Sequence, residues 1–378
     1  MRNPNPLTDT CQVIAQECTE CGQCVQACLF LKETGETPAA IARRGPSTNE
    51  AYSCTLCGLC ETVCPESLSP RDMFLAARKE AVNRGQIDID NYRYMFPDRK
   101  NNVMAFYRQY SNIDYDDLKP DKEASAAFFP GCAMLTYAPE LVRAVFAHLQ
   151  KSRPDLTLIT DCCGIPLDQL GVSRRYRQFA GYLQRKLAGL KIKSLITACP
   201  SCYYQLPSVL SGSSIELLTV YEALELDSLI RHGTSSKNEN PLITLHDSCP
   251  DRRLGTFAKQ AREALKQMGY SVRELEHNRE HTACCGSGGQ ISHFRQDLSQ
   301  QLIERRWQEA NDTEAKIFAT YCVGCALNFA KKPGDKKVQH VLNLLLNVPQ
   351  DFAGVKLKAA QIFEGPQGEK NWEKVMAD

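Results

Sequence analysis

The chain has 378 residues, of which 43% are hydrophobic and 24% are charged, so it is long enough for two or three domains and can bury substantial cores. Lysine and arginine total 45 against 44 for aspartate and glutamate, and this balance argues against a protein that binds nucleic acid through phosphate contacts. No window is apolar enough to span a bilayer, and residues 1–10 do not resemble a signal peptide. We therefore expect a cytoplasmic protein that reaches a membrane only through a partner.

Cysteine is the unusual residue of this composition, with 19 copies. In a small secreted protein, so many cysteines would indicate a disulfide scaffold. This chain is long and shows no secretory leader, so metal ligation or redox chemistry is the favoured interpretation.

Two dense cysteine runs lie in residues 1–84, which we predict to form an α-rich, ferredoxin-like domain with two clusters. Each run has the spacing C-x2-C-x2-C-x3-C, and the cysteines are Cys18, Cys21, Cys24 and Cys28, then Cys54, Cys57, Cys60 and Cys64. In bacterial ferredoxins the fourth cysteine of each run ligates the other cluster. The predicted ligands of the two cubane [4Fe–4S] clusters are therefore Cys18, Cys21, Cys24 and Cys64 for one, and Cys54, Cys57, Cys60 and Cys28 for the other.

Structural zinc is the alternative for these runs, and it would make the chain a zinc-binding interaction protein. Zinc sites more often use two separated Cys-x-x-Cys pairs, and four cysteines within one short run do not suit them. The runs therefore favour iron–sulfur clusters. Cys11 lies in a poorly patterned stretch and is interpreted as a non-ligand.

Two segments of the chain carry no cysteine pattern. Residues 85–124 contain several aromatic residues among many charges, and we interpret them as a connector whose rings pack on the neighbouring domains. A partner-docking surface is the alternative for this connector. Residues 347–378 are expected to be a C-terminal tail that is polar and frayed after Gly365.

Residues 125–233 and 241–346 share one pattern, in which a single cysteine is followed by an adjacent Cys-Cys-Gly and then by C-x2-C. The cysteines are Cys132, Cys162, Cys163, Cys199 and Cys202 in the first copy, and Cys249, Cys284, Cys285, Cys322 and Cys325 in the second. Matching cysteines are separated by about 120 residues throughout, which indicates an internal duplication. A polar loop at 233–240 is expected to join the two repeats.

The residues around these cysteines predict the fold of each repeat. Short apolar runs precede most of the cysteines, and amphipathic helical stretches follow several of them. Strands that alternate with helices predict βαβ units, so each repeat should be a small Rossmann-like α/β domain with a parallel sheet. The cysteines would then lie at the carboxyl ends of the strands, where ligands gather in such sheets. Cys284 is the exception, because a polar stretch precedes it.

Five cysteines per repeat exceed the four that a zinc ion or a cubane requires. Two adjacent cysteines are awkward ligands for one metal ion, but they suit a cluster in which neighbouring thiolates bind different irons. Gly164 and Gly286 follow the adjacent pairs and would let the backbone wrap around a cluster. Buried free thiols are the alternative, which ten cysteines in duplicate register disfavour.

Over residues 10–345 the sequence resembles the heterodisulfide reductase catalytic subunit family, in the fused form where a ferredoxin-type module precedes twin CCG domains in one chain. The resemblance is carried by the spacings Cys132-x29-Cys162-Cys163-x35-Cys199-x2-Cys202 and Cys249-x34-Cys284-Cys285-x36-Cys322-x2-Cys325. Related iron–sulfur proteins of anaerobic glycerol-3-phosphate dehydrogenase and glycolate oxidase have the same architecture. The resemblance implies that each five-cysteine motif holds a noncubane [4Fe–4S] cluster, and that the pair of motifs cleaves a disulfide, so that these ten cysteines are catalytic.

The pattern and the resemblance together predict the catalytic iron–sulfur subunit of a larger oxidoreductase complex. Electrons from a flavoprotein or another donor subunit would enter through the two cubanes and reduce a disulfide or heterodisulfide at the twin clusters. The alternative is a non-catalytic subunit that links a flavoprotein dehydrogenase to a quinone or another respiratory acceptor. The sequence contains no nucleotide- or flavin-binding motif.

Few other polar residues indicate a catalytic role. His246, His277 and His281 precede cysteines of the second repeat, and each could protonate a thiolate, since histidine titrates near neutral pH. Structural histidines are nevertheless the favoured interpretation. Asp161 and Asp247 flank site cysteines and are interpreted as structural or polar-rim groups.

Overall fold

The computed structural model describes residues 6–119, 123–224, 241–332 and 334–377. The loop predicted at 233–240 lies outside the described residues. The described chain forms a helical N-terminal region, two α/β repeats and two C-terminal helices. No helix in these ranges is long and apolar enough to cross a membrane.

Short helices surround the two N-terminal cysteine runs. They are α1 Pro6–Glu17, α2 Gln23–Ala27, α3 Leu29–Thr34, α4 Pro38–Arg44, α5 Thr48–Ser53, α6 Leu59–Thr62 and α7 Pro70–Asn83. Thr37 caps α4, and Ser47 caps α5 in a capping box with Glu50. Gly22 and Gly58 precede α2 and α6 with φ of 76° each, so each run turns sharply between its second and third cysteine.

The N-terminal helices form their own small core. Helix α1 packs against α4 and α7, and Ile14, Ile41 and Met73 are buried there. The rings of Phe30 and Phe74 meet edge to face at 5.3 Å. Most cysteines of the two runs are partly buried and pack against the edge of this core.

The segment predicted as a connector lies against the first repeat. Its elements are a 3₁₀ helix at Ile89–Met95, α8 at Val103–Tyr110 and a second 3₁₀ helix at Asp116–Leu118. The ring of Tyr107 packs on Tyr137 with centroids 5.0 Å apart, and the Tyr115 hydroxyl donates a hydrogen bond of 2.8 Å to the Leu135 carbonyl. These aromatic side chains therefore make intramolecular contacts.

The first repeat contains one four-stranded parallel sheet, in the order β2-β1-β3-β4. Its strands are β1 Ala126–Phe129, β2 Leu156–Leu158, β3 Ser194–Thr197 and β4 Glu216–Thr219. Its helices are α9 Cys132–Tyr137, α10 Pro139–Gln150, α11 Ile165–Gln169, α12 Ser173–Gly189, α13 Pro200–Val209 and α14 Val220–Ala223. Ala126 is paired with both Leu156 and Ser194. Strand β1 is buried along its whole length, which explains its uninterrupted apolar sequence.

The second repeat contains a second parallel sheet, in the equivalent order β6-β5-β7-β8. Its strands are β5 Leu242–His246, β6 Ser271–Glu274, β7 Ile317–Thr320 and β8 Lys337–His340. Its helices are α15 Thr256–Gln267, α16 Gln296–Asn311, α17 Val323–Phe329 and α18 Val341–Leu346. The prediction of an α/β region with two parallel sheets is therefore confirmed. Its finer description as Rossmann-like stays a prediction.

The two repeats share one hydrophobic core. Helix α10 of the first repeat packs against α18 of the second, and α14 packs against α15. Leu141, Phe257 and Leu342 are fully buried in this core. Because the repeats pack directly on each other, their cysteine-bearing strand ends are brought together.

The expectation of a frayed C-terminal tail after Gly365 is wrong. The chain forms α19 at Phe352–Gln361 and α20 at Gly365–Met376. Phe352 and Val375 are buried, and the Asn371 amide donates a hydrogen bond of 2.7 Å to the Ile362 carbonyl. The polar composition concealed a narrow buried stripe, with a helical spacing of three and four residues between the buried positions of α20.

Candidate metal centres

One group of N-terminal cysteines combines three residues of the first run with the last residue of the second. Cys18, Cys21, Cys24 and Cys64 line one small cavity of about 20 Å³. Burial, followed by the charges of the neighbouring thiols, raises the pKa of Cys24 to about 11. The Glu20 backbone N–H donates to the Cys18 Sγ over 3.4 Å. This group, which we call the outer set, has the four members that the sequence assigns to one cubane.

A second N-terminal group contains Cys28 together with Cys54, Cys57 and Cys60. Burial is the main cause that raises the pKa of Cys28 to about 12, with further contributions from Cys57 and Cys54. Burial also raises the pKa of Cys60, to which Cys54, Cys57 and Cys28 contribute. These four cysteines, which we call the inner set, are those that the sequence assigns to the other cubane. The structure thus brings together both exchanged sets.

The five cysteines of the first repeat also lie together. The Sγ atoms of Cys132 and Cys162 are 3.8 Å apart. Contacts with Cys162 and then with Cys202 lower the pKa of Cys163, and Cys202 in turn contacts Cys199. The adjacent pair follows β2, whereas the other three cysteines follow β1 and β3. Three strand ends therefore supply one cluster of thiols.

The second repeat repeats this arrangement. Contacts with Cys249 first and with Cys285 second lower the pKa of Cys284. Cys285 also contacts Cys325, which lies beside Cys322. Cys284 follows β6 only after a polar stretch that includes a 3₁₀ helix, as its sequence flank indicates. Tertiary packing, rather than a strand end, positions this pair.

The two predicted glycines follow the cysteine pairs in a left-handed conformation. Gly164 has φ of 83°, and a Cβ there would lie 3.1 Å from the rings of Tyr176 and Phe179. Gly286 has φ of 78°, and a Cβ there would lie 2.6 Å from the Ser299 carbonyl oxygen. The Gly286 backbone N–H donates to the Cys284 Sγ over 3.4 Å. Both positions therefore favour glycine for conformational and steric reasons.

The cysteines of the two repeats meet in one cavity of about 1140 Å³. Its lining includes Cys57, Cys132, Cys162, Cys163, Cys199, Cys202, Cys249, Cys285, Cys322 and Cys325. Contact with Cys199, followed by contact with Cys325, lowers the pKa of Cys322. Cys199 and Cys322 are thus close enough for each thiol to influence the pKa of the other, so the two five-cysteine groups are neighbours.

The inner set lies next to the second repeat. Cys57 lines the large cavity and is close enough to Cys249 to influence its pKa electrostatically. Cys284 influences the pKa of Cys54 in the same way. The members of the outer set do not line this cavity among its described lining residues. The order of the cysteine groups in space is therefore outer set, inner set, second repeat and first repeat.

A buried arginine that the sequence did not indicate holds the inner set in place. Arg78 lies on α7 and is 0% exposed. Its guanidinium donates to the carbonyls of Ala51 at 2.8 Å, Cys54 at 2.5 Å, Gln169 at 2.7 Å and Gly289 at 2.8 Å. Burial lowers the pKa of Arg78 to about 10, so it remains a cation at neutral pH. No periodicity or motif distinguishes this arginine from a solvent-exposed helical one.

The three histidines noted in the sequence have different environments. His277 Nδ1 lies 3.2 Å from Glu309 Oε1, and His281 is exposed. His246 is fully buried, with a ring nitrogen that lies within 4.8 Å of the Cys285 and Cys325 Sγ atoms. Burial, followed by the charges of Arg306 and Arg252, lowers the pKa of His246 well below its usual range. Only His246 of these three therefore lies beside the cysteines.

The two aspartates beside the site are held in ion pairs. Asp161 accepts a hydrogen bond of 2.6 Å from Lys186. Asp247 accepts two hydrogen bonds of 2.8 Å from Arg262. Both carboxylates are therefore engaged by cationic side chains, and the thiols are the candidate metal ligands of each group.

The donor chemistry of the four groups fits iron–sulfur clusters. Each N-terminal set offers four thiols, and each repeat offers five. Thiolates are the usual ligands of such clusters. The backbone N–H groups of Glu20, Leu56 and Gly286 donate to site sulfurs at 3.3–3.4 Å, as hydrogen bonds around cluster sulfurs do. A zinc site would use four ligands at most, which leaves the fifth cysteine of each repeat unexplained.

Protein-family models match the three cysteine-rich parts of the chain. Residues 126–207 and residues 243–330 each match the cysteine-rich CCG domain. Residues 17–69 match a 4Fe-4S dicluster domain. Both α/β repeats and the N-terminal region are thus assigned to domain families.

Several curated proteins with similar sequences are named as components of redox enzymes. The chain is 24% identical to a component of dihydromethanophenazine:CoB–CoM heterodisulfide reductase of Methanosarcina mazei, over 95% of this chain and 100% of that protein. It is 24% identical to a component of fumarate reductase (CoM/CoB) of Methanothermobacter marburgensis, over 87% of this chain and 71% of that protein. It is also 24% identical to a Bacillus subtilis protein named "Probable glycolate oxidase iron-sulfur subunit", over 58% of this chain and 54% of that protein.

Proposed function

We propose that this protein is an iron–sulfur oxidoreductase that reduces disulfides. The proposal is supported by its two CCG domains, its 4Fe-4S dicluster domain and its homology to a heterodisulfide reductase component. The substrate is a disulfide or heterodisulfide, and the twin cysteine groups are the site of its reduction. The electrons come from a flavoprotein or another donor protein of a redox complex.

The ligand sets follow from the cysteines that lie together. The outer set and the inner set would each hold one cubane, and the five cysteines of each repeat would hold one noncubane cluster. When bound, these [4Fe–4S] clusters supply one-electron transfer. Gly164 and Gly286 give the turns after the adjacent cysteine pairs their left-handed conformation, and a side chain at either position would meet its protein neighbours.

The observation that carries this proposal is the single cavity shared by both repeats. Cleavage of one disulfide requires two electrons. Cysteines of both repeats line the cavity of about 1140 Å³, which the two clusters and a small disulfide would share. Since Cys199 and Cys322 lie close enough to influence each other's pKa, a substrate bound there would lie beside both cysteine groups at once.

Cationic side chains at the cavity favour a substrate that becomes negatively charged when it is reduced. Arg108, Lys331 and Lys356 line the cavity together with the cysteines. Reduction of a disulfide produces two thiolates before they are protonated. Cationic side chains at the cavity would stabilise these thiolates and would favour thiols that carry acidic groups.

The second candidate function is electron transfer without catalysis. In this case a flavoprotein dehydrogenase supplies electrons, and the chain passes them to a quinone or another respiratory acceptor. The spatial order of the cysteine groups favours this candidate too, because the inner set lies directly beside the second repeat. Similarity to a protein named as a glycolate oxidase iron–sulfur subunit is consistent with it.

Thiol release from a mixed disulfide separates the two candidates. Full-length protein, purified anaerobically, is given a reduced viologen dye and a disulfide of two different small thiols. We expect dye oxidation with release of two thiols per disulfide. A Cys11→Ala variant should keep this rate, because Cys11 belongs to neither the N-terminal sets nor the repeats. Dye oxidation that stops once the clusters have been reduced, without thiol release, would favour the non-catalytic candidate.

A further inference from the structure

His246 is a buried residue whose two ring nitrogens have no hydrogen-bond partner among the described residues. It is the last residue of β5 and is 0% exposed. Neither Nδ1 nor Nε2 makes a hydrogen bond within the described residues. A buried polar atom without a partner costs free energy, so an imidazole at this position requires a partner that the described chain does not supply.

The first repeat shows what this position requires for packing alone. Phe129 ends β1 opposite Thr197, as His246 ends β5 opposite Thr320. Each of these two residues precedes the first cysteine of its repeat by three positions. Phe129 is also fully buried. A phenyl ring therefore fills the equivalent place in the duplicated fold, and packing does not explain the two nitrogens of His246.

The His246 ring has both aromatic and thiol neighbours. Its ring meets Phe329 edge to face, with centroids 4.8 Å apart, and Phe318 lies beyond at 6.5 Å. A ring nitrogen lies within 4.8 Å of the Sγ atoms of both Cys285 and Cys325. The two phenyl rings offer no hydrogen-bond acceptor of ordinary strength. The thiols of the second repeat are thus polar neighbours that a ring N–H can reach.

We propose that an N–H of His246 donates a hydrogen bond to a sulfur of the iron–sulfur group held by the second repeat. This inference rests on the proposed cluster at that repeat, and it does not depend on the identity of the substrate. The cysteines already supply five ligands in each repeat, so His246 acts as a positioning residue that contacts sulfur and does not replace a thiolate. Hydrogen bonds to cluster sulfurs tune the reduction potential.

The contact makes the two repeats unequal. The first repeat has Phe129 at the equivalent place and lacks this donor. A hydrogen bond stabilises the additional negative charge of a reduced cluster, so the second repeat has the higher reduction potential of the two, other contacts being equal. Electrons from the inner set would then settle first on the repeat that lies beside it.

Nitrogen isotope labelling tests the contact directly. Full-length protein is purified anaerobically with natural-abundance histidine or with ¹⁵N-histidine, and pulsed EPR spectra of its paramagnetic clusters are compared. We expect a weak histidine nitrogen coupling that changes with the isotope. His246→Phe, which copies the first repeat, should lose this coupling and shift one cluster to lower potential in a redox titration. His281→Phe is the matched control, because His281 also lies three residues before a site cysteine but is exposed.

The outcomes that overturn the inference are distinct. No isotope-dependent coupling in a parent protein that holds all four clusters overturns it without the use of any variant. A coupling that persists in His246→Phe, or one as strong as that of a direct iron–nitrogen bond, overturns it as well. A parent protein that holds clusters only in its N-terminal region overturns the proposed function together with this inference.

Discussion

Arg78 shows how much one residue contributes to the assembly of the sites. Its guanidinium binds carbonyls of the N-terminal region, the first repeat and the second repeat at the same time. Its fork of five N–H donors matches several acceptors in one plane, which a lysine ammonium does not. The positive charge also lies beside Cys54 of the inner set. One side chain thus joins three parts of the chain next to the cysteines.

Replacement of Arg78 by methionine should destabilise the whole protein. Arg78→Met leaves four carbonyls, two of them in fully buried contacts, without this donor, and we expect a loss of roughly 3 kcal/mol in stability. The measurement is the apparent melting temperature of anaerobic protein, together with its iron content. Arg84→Met is the control. Arg84 directly follows helix α7, and its side chain is 62% exposed and forms an ion pair with Glu80. Equal melting of the two variants would contradict the role of Arg78.

The sequence predicted the cysteines but neither the role of Arg78 nor that of His246. Cysteine spacing is a local signal, and the exchange of the fourth cysteine between the runs follows a known pattern. The environment of Arg78 depends on carbonyls up to 211 residues away, and nothing near it in the sequence reports that distance. His246 was noted for its position, but the absence of hydrogen-bond partners among the described residues became visible only in the folded chain.

At the scale of elements, a glycine-rich segment of the second repeat packs against the N-terminal region. This segment, Gly288–His293, is kinked at Gly289 and Gln290 and lies against the loop that contains Cys54 and Thr55. A Cβ at Gly288 would lie 2.6 Å from the Thr55 carbonyl oxygen and 3.3 Å from the Cys284 Sγ. Glycine therefore allows the inner set to approach the second repeat closely.

A methyl group at Gly288 should slightly increase the distance between the inner set and the cysteines of the second repeat. Gly288→Ala must move the Thr55 backbone, so we expect slower reduction of the repeats by the N-terminal clusters, because electron transfer slows with distance. Rapid-mixing spectroscopy after addition of one equivalent of reductant measures this rate, and iron analysis checks that the clusters are retained. Gly189→Ala is the control, because a Cβ there meets no atom within 4 Å. Unchanged transfer in Gly288→Ala would show that this contact does not set the distance.

The elements themselves were predicted unevenly. Strands β1, β2, β3, β5 and β7 were predictable because each is a short apolar run that ends near a cysteine. Strands β4, β6 and β8 end near no cysteine, and the sequence did not indicate them. Helix α20 was not predicted, because its buried positions Gly368, Asn371 and Val375 are mostly not hydrophobic. A pattern based on hydrophobic residues cannot detect a helix that buries glycine and asparagine.

At the scale of the whole molecule, the four cysteine groups predict the metal content. Anaerobically purified protein should contain about sixteen irons per chain, since each of the four groups would hold a four-iron cluster. Iron and acid-labile sulfide analysis measures this number, and Cys11→Ala is the control that should not change it. About eight irons, with spectra of the N-terminal clusters alone, would contradict cluster binding by the repeats. Colourless protein that contains zinc would contradict iron–sulfur binding altogether.

The duplication also predicts how the two repeats depend on each other. Cys163 and Cys285 occupy equivalent places in the two repeats, and both line the shared cavity. Cleavage of one disulfide requires two electrons. If each repeat supplies one of them, a variant that lacks the cluster of either repeat cannot supply the second electron to the substrate. Groups that act as one unit lose activity in a non-additive way. The free energies lost in the two single variants should therefore not add up in the double variant.

Cys163→Ala and Cys285→Ala should each be as inactive in thiol release as the variant that carries both changes. The rate of thiol release from a mixed disulfide measures this, with Cys11→Ala as the control for the loss of a cysteine thiol. Iron analysis of each variant shows whether the other three groups remain filled. A single variant that keeps more than about a tenth of the parent rate has lost less than ~1.4 kcal/mol of barrier stabilisation. In that case one repeat reduces the disulfide alone, and the other repeat only carries electrons.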